Sequence, residues 1–85
     1  MKKTIIENKE EEKIFYTISE VSRSFDEPQY TLRYWEAFFS QLKPMKRCGR
    51  RYYRQSDIEI ISKIRALLRD ELYTIEGARR QLGKT

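Results

Sequence analysis

The chain has 85 residues, of which 39% are hydrophobic, 13% aromatic and 36% charged, and its formal net charge is +5. This length and composition predict one small globular domain with a modest core and a very polar surface. No apolar stretch approaches the roughly 18 residues of a membrane span, and the N-terminal residues lack the apolar segment of a signal peptide, so we expect a cytoplasmic protein. With Cys48 as the single cysteine and no histidine, we expect no disulfide, no metal site and no cofactor.

The positive charge is concentrated in one segment. Residues 43–54, KPMKRCGRRYYR, contain six cations and no acid, whereas residues 14–42 have a net charge of −2. A concentrated patch of one sign attracts a polyanion through its long-range field and through counterion release. Because Pro44 and Gly49 interrupt any amphipathic-helix pattern, we expect nucleic acid rather than an anionic membrane as the partner.

The N-terminal part of the chain predicts a flexible tail followed by a helix. Residues 1–13 lack apolar periodicity, so the ordered domain is expected over residues 14–85. Thr17 and Glu20 have capping-box spacing at the start of the first helix. Three apolar residues share one face of that helix: Ile18, Val21 and Phe25.

A second helix is predicted directly after a short turn. Pro28 suits its first position, because the missing amide would have no partner there. The helical pattern of PQYTLRYWEAFFSQL continues until Pro44 ends it. Its core face contains Leu32, Trp35, Phe39 and Leu42, and its polar and aromatic flanks contain Tyr30, Thr31, Arg33 and Tyr34.

The basic segment predicts a hairpin. Cys48–Gly49 forms the turn between two short extended arms, in which Tyr52 and Tyr53 favour the strand. Alternation places Arg50 with Tyr52 on one face and Arg51 with Tyr53 on the other, and the sequence leaves open which face meets the domain.

Two more helices complete the prediction. Ser56 and Glu59 have capping-box spacing before a long helix, and Thr74 can cap a short one. The long helix has an apolar stripe of Ile58, Ile61, Ile64, Leu68 and Leu72, and the short one has Ile75, Ala78 and Leu82. We expect Arg69, Arg79 and Arg80 to form a solvated face. The fold is therefore mainly α with a small two-stranded wing, in the order α-α-β-β-α-α, which is a winged helix-turn-helix.

In such a fold the second helix enters the major groove of DNA and the wing follows the neighbouring backbone. Phosphate contacts require long cationic side chains on an exposed ribbon, and arginine can grip phosphate oxygens in a bidentate way. Five side chains of the basic segment meet this requirement: Lys46, Arg47, Arg50, Arg51 and Arg54.

Three motifs resemble the DNA-binding domain of the MerR family of bacterial transcription regulators. TLRYWE at residues 31–36 is similar to the family's T-[IL]-R-[FY]-[YW]-E in the recognition helix. GRRYY at residues 49–53 is similar to G-x-R-x-Y in the wing, and YTIE at residues 73–76 resembles the start of the helix that closes the second wing. The resemblance covers about residues 15–82.

The resemblance implies a regulator that binds an inverted-repeat promoter site on double-stranded DNA as a dimer. Many members bend and untwist an overlong promoter spacer so that RNA polymerase can use it. Carried over by position, Tyr30 and Arg33 would face the major groove, Tyr34 and Trp35 would lie at the phosphate boundary, and Arg47 and Arg51 would hold phosphates. The complete set of expected DNA contacts is Tyr30, Thr31, Arg33, Tyr34, Trp35, Lys46, Arg47, Arg50, Arg51 and Tyr52.

The chain departs from the family pattern in three ways. Glu27 stands where the family usually has an apolar turn residue, and the wing tip is about one residue shorter than in similar proteins. Family members usually continue into a long helix that pairs with its mate and then into an effector-binding region, whereas this sequence ends at Thr85. We therefore expect a homodimer only if a further C-terminal helix exists.

Several alternatives remain open from the sequence. Arg33 could form a salt bridge with Glu36 or Glu27, Trp35 could mainly pack in the core, and Tyr53 could anchor the wing. At the level of function, the alternatives are a stand-alone excisionase-like architectural protein and a winged-helix module that binds an acidic protein. An enzyme is not expected, because no nucleophile–base pair or paired acids can be proposed.

Overall fold

The computed structural model describes residues 15–83, and the tail predicted over residues 1–13 lies outside them. The described chain forms a winged helix-turn-helix, as predicted. In chain order its elements are β1 (Tyr16–Thr17), α1 (Ile18–Phe25), α2 (Gln29–Phe38), β2 (Met45–Arg47), β3 (Arg50–Tyr53), α3 (Gln55–Arg65), a π-helical turn (Ala66–Asp70) and α4 (Ile75–Gly83).

The wing has one more strand than predicted. β1 pairs antiparallel with β3, so the sheet order is β1-β3-β2, with Tyr16 opposite Tyr53 and Thr17 opposite Tyr52. A strand of two residues is too short to leave an alternating pattern in the sequence. Because β1 leads directly into α1, this pairing fixes the wing to the start of the helix-turn-helix.

The first helix begins as predicted. The Thr17 hydroxyl accepts a hydrogen bond from the Glu20 amide at 3.2 Å, and the Glu20 carboxylate accepts one from the Thr17 amide at 2.8 Å. This reciprocal pair satisfies two amides that the first helical turn leaves free. The helix ends at Phe25, and its C-cap Asp26 adopts a left-handed conformation with φ of 56°.

The second helix differs from the prediction at both ends. Pro28 is the N-cap rather than the first helical residue, and its carbonyl accepts the Leu32 amide at 3.3 Å. The helix ends at Phe38, well before Pro44, because Phe39 is extended with φ of −118° and ψ of 104°. Phe39 and Leu42 nevertheless reach the core, since each is only 1% exposed. The apolar spacing therefore identified core residues correctly but overestimated the length of the helix.

The hairpin turn lies at Cys48 and Gly49, as predicted. Both residues have positive φ, 53° and 76°, and Arg47 pairs with Arg50 across the two-residue loop. Two positive φ angles are the signature of a type I′ turn, whose twist suits a tight hairpin. Glycine adopts this conformation freely, whereas Cys48 does so at some cost.

The predicted Ser56–Glu59 capping box is wrong. The N-cap of α3 is Arg54, and Ser56 already lies within the helix. The carboxylate of Asp57, which is 2% exposed, accepts the Arg54 amide at 3.0 Å and the Lys43 amide at 3.1 Å. The Asp57 side chain therefore stabilises the N-terminus of α3 and also anchors the segment that precedes β2.

The apolar stripe of the long helix stops earlier than predicted. Leu72 is 79% exposed and left-handed, with φ of 57°. The π-helical turn after α3 rotates later positions away from the 3.6-residue pattern, and the helix has ended by Leu72. The predicted cap of α4 is confirmed, because the Thr74 hydroxyl accepts the Gly77 amide at 3.0 Å.

One core joins the helices to the wing. Its buried members are Val21, Leu32, Trp35, Phe39, Leu42, Tyr53, Ile61, Ile64, Ala78 and Leu82. They come from α1, α2, β3, α3 and α4 and from the segment after α2, so the recognition helix and the wing share one support. Within residues 15–83, no helix is long and apolar enough to cross a membrane.

Candidate nucleic-acid interface

The recognition helix α2 presents a polar and aromatic face to solvent. Tyr30 is 71% exposed and Tyr34 is 52% exposed, while Arg33 is exposed and Thr31 is half-buried. The ring of Tyr34 lies against that of Phe38, with their centroids 4.7 Å apart, which supports the tyrosine from one side. These four predicted contact residues therefore lie on or beside one accessible face.

Arg33 has no ion pair within residues 15–83. Both carboxylates that could have paired with it are bound to other cations: Glu36 to Lys46 and Arg51, and Glu27 to two arginines of the α3 segment. The alternative in which Arg33 forms a structural salt bridge is therefore wrong, and its guanidinium is available to a ligand.

An open cleft of about 430 Å³ separates α2 from the wing. Its lining comes from three places: Gln29 and Arg33 of α2; Gly49, Arg50 and Arg51 of the hairpin; and Thr17 of β1 with Ile18 and Ser19 at the start of α1. The structure thus brings Arg33 and the wing arginines, separate in the sequence, to the same concave surface. A cationic concavity of this kind attracts phosphate.

Two of the predicted wing contacts are bound to the recognition helix. Arg51 Nε donates to Glu36 Oε1 at 2.7 Å, and Lys46 Nζ lies 3.1 Å from Glu36 Oε2. Burial raises the pKa of Glu36, but the hydrogen bonds from Arg51 and Lys46 outweigh it and hold that pKa below its ordinary value. We call this group of three side chains the Glu36 clip.

The remaining arginines of the basic segment differ in whether their side chains have partners within the domain. Arg54 donates to the Lys43 carbonyl at 3.0 Å and lies 3.6 Å from Asp57, so it supports the loop. Arg47 and Arg50 are exposed and have no side-chain partner in the described part of the chain. These two arginines are therefore the free cations of the wing.

The two tyrosines of β3 lie on opposite faces. Tyr53 is fully buried and anchors the wing, which was one of the alternatives left open by the sequence. Its hydroxyl has no hydrogen-bond partner among the described residues. Burial, followed by the charge of Glu36, raises the pKa of Tyr53 to about 12. Tyr52 is half-buried on the outer face, where a shallow pocket of about 300 Å³ also involves Phe15, Met45 and Arg47.

The structure places Trp35 in the core rather than at the interface. Its side chain is 2% exposed, and the guanidinium of Arg69 lies 5.7 Å from its ring centroid. Trp35 was among the expected DNA contacts, but burial removes it from the surface that a duplex could reach. The alternative in which it mainly packs is the one that the structure supports.

Sequence reasoning missed a buried ion cluster at the turn between α1 and α2. Glu27 is 4% exposed and accepts three hydrogen bonds, from Arg65 Nε at 3.0 Å and from Arg69 Nε and Nη2 at 2.9 and 2.7 Å. The bonds from Arg69 are the main reason why the pKa of Glu27 lies below its ordinary value, and they outweigh the opposing effect of burial. The same bonds raise the pKa of Arg69 above its ordinary value.

The cluster also corrects the role expected for Arg69, which is not simply part of a solvated face. An acid at a position expected to be apolar was the available signal, because a buried charge requires a partner. Arg65 and Arg69, which are spaced four residues apart on one helical face, could have been proposed as the partners of Glu27.

Comparison with known families decides the family of this chain. Residues 16–84 match the family described as "MerR HTH family regulatory protein". The chain belongs to the MerR family. Searches of curated proteins and of solved structures found no significant match.

Membership of the MerR family identifies the chain as a DNA-binding domain associated with transcription regulation. The family is regulatory and is not typically enzymatic. In this MerR-family domain, Arg33 of α2 and Arg50 of the wing border one cleft, whereas Arg47 lies at the separate pocket on the outer face of the wing. Two internal carboxylates, Glu27 and Glu36, tie the two ends of the recognition helix to the rest of the domain.

Proposed function

We propose that this MerR-family domain binds double-stranded DNA sequence-specifically, with α2 in the major groove and the β2–β3 hairpin on the neighbouring backbone. The observation that carries the proposal is the cleft of about 430 Å³, which Arg33 of α2 and Arg50 of the wing border together. A duplex that places base edges against α2 would bring its phosphates to the wing.

The proposal divides the interface into two kinds of contact. Tyr30 and Arg33 read base edges, because they are exposed on α2 and arginine can donate two hydrogen bonds to guanine. Thr31 and Tyr34, on the flanks of the same helix, contact the phosphates at the groove edge. These contacts fix the register of the helix on the duplex.

The wing supplies contacts that do not depend on sequence. Arg47 and Arg50 bind phosphates, Lys46 is exposed in β2 but paired with Glu36 and so adds no free cation, and Tyr52 lies beside Arg47 at the pocket on the outer face. Each phosphate neutralised by such a side chain contributes to affinity and makes it dependent on salt. In the larger setting that we propose, a bacterial cytoplasmic regulator, the site is an inverted repeat in a promoter and RNA polymerase is affected indirectly. The protein binds as a homodimer only if a further C-terminal helix exists.

The test begins with selection of binding sites from random duplex DNA, followed by footprinting. Arg33→Ala should weaken binding to the selected site by roughly 1–3 kcal/mol while leaving random DNA nearly unaffected. Arg47→Ala is the matched control, because it removes the same charge from the wing and should weaken both duplexes alike.

Three outcomes of this test would contradict the proposal. Equal losses on both duplexes for Arg33→Ala would refute base reading by α2. Cooperative bending without a preferred sequence would instead support the excisionase-like alternative. Absence of duplex binding at low salt, where phosphate contacts are strongest, would refute DNA binding and favour an acidic protein partner.

A further inference from the structure

The Glu36 clip joins the recognition helix to both strands of the wing tip. Glu36 lies in the last turn of α2, Lys46 is in β2, and Arg51 is directly opposite Lys46 in β3. Facing residues of an antiparallel pair point to the same side of the sheet. Both cations therefore converge on one carboxylate, on the side of the wing that faces the domain.

The two cations of the clip are not equally available. The side chain of Arg51 is 27% exposed and that of Lys46 is 60% exposed, while Glu36 is 15% exposed. For Arg51 to reach a phosphate, it would have to give up its 2.7 Å bond and leave a largely buried carboxylate with Lys46 alone. Exchanging the Glu36 carboxylate for a phosphate gains little for Arg51, whereas Arg47 and Arg50 have no side-chain bond within residues 15–83 that they would lose.

We infer that Glu36 is a specificity-determining residue of the proposed DNA complex, and that Arg51 is a positioning residue that acts through Glu36 rather than a phosphate contact. This inference rests on the proposed function and corrects the role that the family resemblance implies for Arg51. The clip sets the angle of the wing relative to α2, so that phosphates meet Arg47 and Arg50 only when α2 is seated on its bases. By occupying two cations, Glu36 also lowers the affinity for DNA of any sequence.

The first test measures how affinity depends on salt. Dissociation constants are determined at several salt concentrations for the selected site and for a random duplex. Arg47→Ala is the matched control and should reduce the magnitude of the log–log slope by about 0.9, the value for one lost phosphate contact. Arg51→Ala should leave the slope unchanged and reduce the preference for the selected site by about tenfold. A loss of slope for Arg51→Ala equal to that for Arg47→Ala would overturn the inference.

Glu36→Gln should have the opposite effect on random DNA. It releases Arg51 and Lys46 from the carboxylate, so the slope should steepen by roughly 1 to 2 and random DNA should bind more tightly. The preference for the selected site should fall, because the wing loses its link to α2 and is held at its base only by Tyr53 and by the pairing with β1. An unchanged preference in Glu36→Gln would contradict the role of the clip.

Exchanging the charges provides a rescue experiment. The double variant Glu36→Arg with Arg51→Glu keeps the net charge and permits an ion pair in the reverse sense. If Arg51 is a positioning residue, the double variant should recover preference relative to Arg51→Ala with an unchanged slope. If Arg51 binds phosphate, the exchange should weaken both duplexes and reduce the slope.

A measurement without DNA separates the inference from the proposed function. Amide hydrogen exchange in β2 and β3 should accelerate by about tenfold in Glu36→Gln, while exchange in α3 should remain unchanged. Unchanged exchange in the wing would overturn the clip as a positioning device. Failure of the wild-type chain to bind any duplex would refute the proposed function, and the exchange experiment would still decide whether Glu36 holds the wing. Circular dichroism would establish that each variant is folded, and Arg51→Lys, which keeps the ion pair, should retain most of the preference.

Discussion

The buried carboxylate of Glu27 offers the sharpest test of what holds the recognition helix in place. Glu27→Gln preserves the shape of the side chain and removes its charge. In the wild type, the carboxylate accepts three hydrogen bonds from Arg65 and Arg69. Both Nε groups donate to Oε2, so an amide oxygen at that position keeps these two bonds in weakened form, while the bond from Arg69 Nη2 to Oε1 is lost.

The magnitude follows from the number of bonds and from their exposure. A hydrogen bond to a charged group contributes roughly 1.5–3 kcal/mol, so the lost bond suggests a cost of about 1.5–3 kcal/mol, to which the weakening of the other two bonds adds. The side chains of Arg65 and Arg69 are 38% and 48% exposed, so water screens the pairs and hydrates the released guanidinium groups. We therefore expect a loss of about 2 kcal/mol in the free energy of unfolding. For a domain of this size, that corresponds to a fall in Tm of about 10 °C.

The pH dependence identifies the charge as the cause. Because the folded-state pKa of Glu27 lies below the ordinary value of 4.5, the stabilisation is present above pH 4.5. It is lost as the pH falls through the lowered folded-state pKa, since the protonated acid then resembles the amide. The difference in stability between wild type and Glu27→Gln should therefore be largest near neutral pH and should shrink in more acidic solution.

The assay is urea denaturation followed by circular dichroism across the acidic and neutral range, with thermal melts at pH 7. Glu76→Gln is the control, because Glu76 is 70% exposed and lies 3.7 Å from Arg79, so its loss should change stability by less than about 0.5 kcal/mol. A Tm for Glu27→Gln within about 2 °C of the wild type would refute the reasoning. So would a stability difference that does not change with pH.

Three further substitutions test local features of the fold by urea denaturation. Tyr53→Phe removes a buried hydroxyl that has no hydrogen-bond partner within residues 15–83, so it should be neutral or stabilising by about 1 kcal/mol at pH 7. The pKa of Tyr53 is raised to about 12, so the stability that its neutral hydroxyl contributes is fully present below the unfolded-state pKa of about 10 and is lost as the pH rises through 12. The stability of Tyr53→Phe relative to the wild type should therefore increase over this range. A difference that stays constant would contradict the prediction. Asp57→Ala leaves two backbone amides without their acceptor and should cost about 3 kcal/mol, and a loss below about 1 kcal/mol would show that the carboxylate does not anchor the loop. Cys48→Asn places a residue that tolerates the left-handed conformation in the hairpin turn and should stabilise by about 0.5 kcal/mol, whereas destabilisation would argue against the type I′ turn.

The sequence by itself determined the fold class, the turn of the wing and most of the core. Local rules were sufficient where a feature depends on neighbouring residues, as in the capping box of Thr17 and Glu20 or the turn at Gly49. Apolar spacing likewise identified core residues such as Leu32, because the periodicity of a helix is written into its own sequence. The motifs that indicated the MerR family also lie in short continuous segments.

Only the tertiary structure decided which charged side chains are free. Arg47 and Arg51 are both arginines of the basic segment, yet Arg47 is exposed with no side-chain partner among the described residues. Arg51 is bound to Glu36, 15 residues earlier in the chain. Glu27 meets Arg69 across 42 residues of sequence. Pairings over such separations depend on how α2, the wing and α3 pack around the shared core, which no local pattern encodes. The packed domain therefore determines which cations of the basic segment bind internal carboxylates and which are available to DNA. The sequence determines only that these cations are concentrated in one segment.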